Sequence, residues 1–339
     1  MLNKKINIFI YQQYDESIML MLKSLKNVKI IFYNHSCFLF WLYSHDFTIF
    51  SCAYNQYKNS KFVISLIHFE NDFVFKKWGI KSIYMNNFMT YEYDKVIQSN
   101  LSSKNIIMIG RGNDINKRFD LGIKAMKYII KKINDSQMII LSDNTEIDEL
   151  KSLIKTEKLD NNIKFVGYST NPEIYFNNVS LHIFPSIAEA FPMVLSETKI
   201  YGIPSILVGI DYVTAIKEGV IIVYDEKPET IANYAIKILN NFEYRKKIGK
   251  RARKSMKKFN NKILFKKWIK LIEAVNEGED SFGQLANEDK PIPDNESIYI
   301  LQNQINLLKK REKWFKNITI NDLLDFSFIK QLNNFNVNI

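Results

Sequence analysis

The chain has 339 residues, 46% of them apolar, which is enough for two cores of ordinary size and excludes the disordered and fibrous classes. Lysine and arginine number 47 against 36 acidic residues; the resulting +11 suits a phosphate-rich, phospholipid or nucleic-acid partner, and a coding bias toward Lys, Asn, Ile, Phe and Tyr accounts for the same figure. Cys37 and Cys52 are the only cysteines and show no metal or redox spacing, which fits reduced thiols in a reducing compartment.

The opening residues, MLNKKINIFI, contain no apolar core long enough for a signal peptide, so a cytoplasmic location is expected. Short apolar runs alternating with longer amphipathic ones predict strands near 6–10, 28–33, 61–67 and 81–85, and helices near 16–26 and 38–57. That is half of a doubly wound domain. Between Ile30 and Tyr57 the only formal charge is Asp46, and Phe38, Trp41 and Phe47 are among many aromatics there. Asn34, His35, His45 and Asp46 interrupt any run of the roughly 18 apolar residues that a spanning helix needs. The segment reads as a buried strand and helix, or as a face lying against lipid.

Only Gly79 precedes Gly110, so the first hundred residues hold no glycine-rich phosphate loop. Residues 90–104 are polar and without apolar periodicity, and a linker is expected there. A second domain follows, with a buried strand at 105–110, a loop from Arg111 to Arg118 and a helix from about Asp120. Arg111 and Lys117 therefore leave the carboxyl end of a parallel strand. A dinucleotide reading of Gly110 and Gly112 fails because position 115 is isoleucine. A strand at 137–141, a helix at 146–157 and a strand at 163–166 continue the alternation, with Gly167 and Tyr168 in the next turn.

Residues 184–204 organise the rest. Apolar runs ending at Phe184 and beginning at Ile206 read as buried strands around a helix, with Pro192 suited to its first position and Gly202 and Pro204 to its stop. A helix N-terminus beyond a strand offers amides and a positive dipole end to an anion, and Met193, Val194 and Leu195 would supply those amides. Glu189 before the helix and Glu197 inside it flank that anion site, an arrangement suited to a ligand with hydroxyls as well as phosphate.

Glu189 and Glu197 stand in Pro-Ser-x-x-Glu-x-Phe-Pro-x-x-x-x-Glu, which resembles the donor signature of group 1 (family 4) retaining glycosyltransferases of the GT-B fold. The resemblance covers about residues 28–275 and is most specific from 105 to 205. It implies two Rossmann-like domains: 1–103 on the acceptor side and 104–275 binding a nucleotide-diphosphate sugar. It also implies that Glu189 contacts the donor sugar and Glu197 the ribose, and that Arg111 and Lys117 hold the diphosphate. Gly167 and Tyr168 would lie beside the base, with Phe191 in the same signature and His35 approaching donor and acceptor. In the family the comparable histidine comes far later, so the first domain reads as shortened or genuinely reduced.

The expected reaction is sugar transfer to a glycan or lipid-linked acceptor with retained configuration. It needs no metal and no cofactor beyond the donor, since no Asp-x-Asp or His/Cys ligand spacing occurs. The competing readings are a nucleotide-sugar-binding protein without transferase activity and a basic membrane or nucleic-acid scaffold.

After a strand at 221–223 and a helix at 228–241, residues 245–270 carry thirteen cations and no acid, with apolar residues recurring from Ile248 to Leu271. This basic amphipathic region reads as a solvated outer face or as a peripheral contact with an anionic membrane. Nucleic acid is not the expected partner, because no recognition module accompanies the charge. Residues 276–297 read as an exposed linker, and Ile298, Leu301, Ile305 and Leu308 as the apolar side of a helix that docks on the body, in preference to a partner chain.

Overall fold

Short, largely apolar runs become strands, the inner ones buried on both faces, and in this chain they pair as two wholly parallel sheets. The computed structural model describes residues 7–12, 15–37, 47–112, 114–143, 147–210, 217–287, 293–311, 316–317 and 319–324. The first sheet has the order β1-β2-β3-β4, with β1 Ile8–Tyr11, β2 Lys29–Asn34, β3 Phe62–Ser65 and β4 Ser82–Tyr84. Ile31 faces Phe62 and Ile64 faces Ile83 across it. The helix expected near 38–57 is Phe47–Asn59 among the described residues; 38–46 lie outside them.

The second sheet has the order β10-β9-β8-β5-β6-β7. Its strands are β5 Ile106–Ile109, β6 Met138–Leu141, β7 Ile163–Gly167, β8 Leu181–Phe184, β9 Ser205–Val208 and β10 Val220–Val223. Ile123, Met126 and Ile129 of the Phe119–Ile130 helix and Ile231, Ala235 and Ile238 of the Pro228–Asn240 helix are fully buried in its core. Gly122 sets how closely the first of these helices approaches the sheet, because a Cβ there would lie 2.3 Å from Met108 Sδ of β5. The chain leaves β5 for β6 on one side and returns to β8 on the other, so the strand order reverses between β5 and β8. The crevice beyond the carboxyl ends of these two strands is where an open parallel sheet receives its ligand.

The basic stretch is less solvated than its composition suggests. It forms the Phe242–Ser255 helix, a short turn at Met256–Phe259 and the Asn261–Glu277 helix. Arg245 is 3% exposed and donates to the carbonyls of Leu101 (2.9 Å), Ile238 (3.1 Å) and Leu239 (2.6 Å). Arg253 stacks 4.5 Å from the Tyr93 ring centroid and donates to the carbonyls of Tyr93 and Val96. The two guanidinium groups thus fasten the 90–104 segment, which has no regular structure of its own, onto the second unit.

The Asn261–Glu277 helix crosses to the first sheet, where Trp268 meets Tyr33 edge-on at 5.6 Å and Lys29 Nζ donates 2.7 Å to the Val275 carbonyl. In place of an exposed linker at 276–297, a helix spans Glu279–Ala286, and its Phe282 is fully buried edge-on to Phe62 at 5.2 Å. Leu285 and Ala286 pack beside it, and Glu279 pairs with Lys61 at 2.6 Å. The Asp294–Arg311 helix packs on the body through Ile300, Leu301, Ile305, Leu307 and Leu308, with Gln304 donating to the Gly209 carbonyl, while Ile298 stays 46% exposed. Among the described residues no helix is long and apolar enough to cross a membrane.

Candidate active site

β5 runs out at Ile109, and Gly110 still donates to the Leu141 carbonyl at 3.1 Å, so the following loop leaves the sheet beside β6. Gly112 donates 3.0 Å to Asp143 Oδ1; a Cβ at this glycine would meet Ile147 Cγ2 at 2.3 Å and Ser142 Oγ at 2.7 Å, so only glycine fits. Asp114 then organises the turn: its Oδ1 accepts from the Asn116 amide at 3.0 Å and its Oδ2 from Arg111 Nη2 at 2.8 Å. A short turn at Ile115–Lys117 delivers Lys117 inward. Arg118 follows in the left-handed region (φ 47°), held by Asp120 at 3.0 Å and Glu226 at 3.3 Å.

The loop beyond β8 meets this one. Ile187 donates 2.9 Å to the Asn116 carbonyl, and Lys117 Nζ lies 2.6 Å from Glu189 Oε1. Ser186, 1% exposed, donates to the same carboxylate oxygen at 2.6 Å. Two loops from neighbouring strands therefore close on one Lys–Glu pair that is largely shielded from water.

The Met193–Ile200 helix begins at the other side of the cleft. Pro192 is its N-cap, extended at φ −72° and ψ 97°, rather than the first helical residue expected from sequence. A proline there still closes the first turn, because its carbonyl accepts from Ser196 at 3.0 Å. The amides of Met193, Val194 and Leu195 are left without intrahelical acceptors at the positive end of the helix dipole.

These elements bound a cleft of about 660 Å³, within the range of small-molecule sites. Arg111, Lys117, Tyr168, Glu189, Phe191, Met193, Val194 and Glu197, all expected from sequence, line it, and Ile109, Leu141 and Phe184 form apolar wall. Three expected residues do not line it. Leu195 is fully buried behind the helix, with only its amide at the N-terminus in question; Gly167 (φ 86°) closes β7 and sets the turn that exposes Tyr168. His35 follows β2 in the first sheet, its ring 4.2 Å from that of Tyr33. A second histidine of that sheet, His68 beyond β3, has Nε2 3.0 Å from Asp72 Oδ2.

Glu197 is joined to the segment between the two sheets: Thr90 Oγ1 donates to its Oε1 at 2.6 Å, and the neighbouring Tyr91 hydroxyl donates to Glu173 at 2.9 Å. Burial pushes the Glu197 carboxyl above its ordinary pKa and Glu173 adds to the rise, while the Thr90 bond opposes it. Thr90, Asp143 and Ser186 were not singled out in the sequence. Ser186 had a signal, three positions before Glu189 in the same loop. Asp143 becomes visible once β6 is known to border β5. Thr90 had none, because it lies in a stretch that reads as connection.

Residues 90–255 match the family model of glycosyl transferases group 1. The poly(ribitol-phosphate) alpha-N-acetylglucosaminyltransferase of Staphylococcus aureus is 23% identical over 164 residues, 47% of this chain and 33% of that protein. The chain thus spans about a third of that curated relative. Sucrose-phosphate synthase of Thermosynechococcus elongatus superposes with a TM-score of 0.68 at 15% identity, covering 80% of this chain and 74% of that one. The Anabaena HepE protein in complex with UDP and glucose gives 0.65 at 14%, covering 78% and 77%. The fold is GT-B, as the resemblance of the donor signature implied.

Proposed function

From a chain that has the GT-B fold and carries a group 1 glycosyltransferase segment over residues 90–255, we propose a glycosyltransferase that takes its sugar from a nucleotide-diphosphate sugar. The observation that carries this reading is the convergence, at the β5/β8 switch point, of Lys117, Glu189 and the Met193–Ile200 helix N-terminus on one cleft. One cation and three amides suit a diphosphate, and carboxylates on either side suit the hydroxyls of a sugar and a ribose. The UDP bound to HepE makes a uridine nucleotide the first donor to test. The staphylococcal relative is named for poly(ribitol phosphate), which makes a polyol-phosphate polymer an acceptor to test beside a glycan.

In the reaction, the bond between the anomeric carbon and the diphosphate oxygen breaks. An acceptor hydroxyl forms the new bond on the face that the diphosphate leaves, which retains configuration, and its proton passes to the departing phosphate. Negative charge grows on that phosphate. In this reading Lys117, the amides of Met193 to Leu195 and Arg111, once drawn from Asp114, stabilise it, which is the work a metal would otherwise do. Glu189, steadied by Ser186 and Lys117, holds a sugar hydroxyl and faces the positive charge that develops at the anomeric carbon. Tyr168 offers an exposed ring to the base, and Glu197 accepts from the ribose.

Incubation of the chain with a panel of nucleotide sugars, in the presence of a chelator, is expected to release nucleoside diphosphate from one of them and to transfer its sugar to an added glycan. Tight donor binding with neither release nor transfer would instead establish a nucleotide-sugar-binding protein.

The Glu197 carboxyl gives the donor site a pH dependence. Only its ionised form accepts fully from ribose hydroxyls, and its pKa lies above the ordinary 4.5. Donor affinity is therefore expected to decline on acidification at a higher pH than an exposed glutamate would dictate. Glu197→Gln should flatten that limb of a calorimetric titration series. An unchanged limb would remove Glu197 from the ribose contact.

A further inference from the structure

The Asn261–Glu277 helix has an outer face that the donor cleft does not use. Its inner side packs through Leu264, Leu271 and Val275, with Trp268 against Tyr33. On the opposite side Lys262, Lys266 and Lys270 recur at spacings of four and are exposed. Phe265 (59% exposed) and Ile269 (44%) flank this row on one side and Ile263 (50%) on the other. At about 100° per residue the six side chains fall within an arc of roughly 160°. No aspartate or glutamate occurs between Glu243 and Glu273, so this face is cationic from Lys262 to Lys270, and the exposed Glu273 and Glu277 follow on the same side only in the last turns of the helix.

A solvated face needs lysines but gains nothing from an exposed phenylalanine and two isoleucines among them. A soluble polyanion, whether nucleic acid or an acidic glycan, would use the lysines and leave the apolar groups in water. The boundary between headgroups and acyl chains uses both. We propose that this face of the Asn261–Glu277 helix seats the protein on the surface of an anionic bilayer. Phe265, Ile269 and Ile263 enter the interface, and Lys262, Lys266 and Lys270 remain at headgroup level. Because the helix is packed on the first sheet, docking would hold that sheet's side of the molecule against the membrane. The inference is independent of the donor chemistry, since none of the six residues lines the cleft.

The test is sedimentation of the full chain with phosphatidylcholine vesicles, with and without phosphatidylglycerol, at physiological salt. Wild type is expected to bind the anionic vesicles and to release them as salt rises. Lys262→Gln with Lys266→Gln should weaken binding roughly 30-fold. Phe265→Ser with Ile269→Ser should weaken it at least about tenfold with the charge intact. Both variants alter exposed side chains and should keep the wild-type unfolding temperature and nucleotide affinity. Failure to bind anionic vesicles, or equal binding to neutral ones, would overturn the proposal. So would a serine variant that binds as wild type does and is displaced by heparin or duplex DNA, which would mark a polyanion surface instead.

Discussion

Glu189→Gln is expected to lower turnover by on the order of 10²- to 10³-fold while leaving nucleoside diphosphate affinity unchanged or slightly improved. Glutamine keeps the size of the side chain and can still meet Ser186, so the loop beyond β8 should hold its shape. What is lost is the negative charge facing the anomeric carbon as the bond to diphosphate stretches. That charge matters more in the transition state than in the ground state, so the loss should appear in kcat. The substitution also leaves Lys117 without the carboxylate 2.6 Å away, making it a better phosphate partner. Steady-state turnover beside calorimetric titration of the same preparation separates the two effects. A parallel loss of nucleotide affinity would mean that Glu189 shapes the cleft rather than acting in it.

Arg111→Ala combined with Lys117→Ala should give the opposite signature. A charge-assisted hydrogen bond contributes roughly 1.5–3 kcal/mol, so loss of the diphosphate contacts should weaken nucleoside diphosphate binding by about 10- to 100-fold or more. Lys117 should account for most of this. Both are paired with a carboxylate, but the Lys117 side chain is 19% exposed and that of Arg111 72%, so water screens the arginine far more. Removing Lys117 also takes the cation from beside the Glu189 carboxylate, which then faces the incoming phosphate, so the measured loss includes new repulsion. Direct titration checks the result, and a double variant that binds as tightly as wild type would place the diphosphate elsewhere.

The second sheet was more legible in the sequence than the surfaces around it. Its buried strands include continuous apolar runs such as Ile106–Ile109 and Met138–Leu141, and a parallel strand covered on both faces leaves that mark whatever its neighbours are. Arg111, Lys117 and Glu189 stand beyond strand ends and Glu197 one turn into the following helix, where an α/β sheet gathers its ligand contacts; the resemblance of their motifs to the family's donor signature singled them out, and all four line the cleft. Asp143 and Thr90 depend on which strands are adjacent and on how the 90–104 segment is folded back, and neither fact is local. The run of thirteen cations hid a division of labour. Arg245 and Arg253 turn inward to carbonyl groups while Lys262 and Lys266 stay outside, and only packing distinguishes them. Phe282 shows the converse error, in which polar composition masked one anchoring ring.

The most direct test of the central claim is thermal unfolding of the chain with a panel of nucleoside diphosphates. A ligand at about a hundred times its dissociation constant adds roughly 2.7 kcal/mol to stability. A rise of several degrees with one base, absent from the Arg111→Ala/Lys117→Ala variant, is the predicted result. No rise with any nucleoside diphosphate, or the same rise in that variant, would contradict a donor site at the cleft between Lys117, Glu189 and the Met193–Ile200 helix.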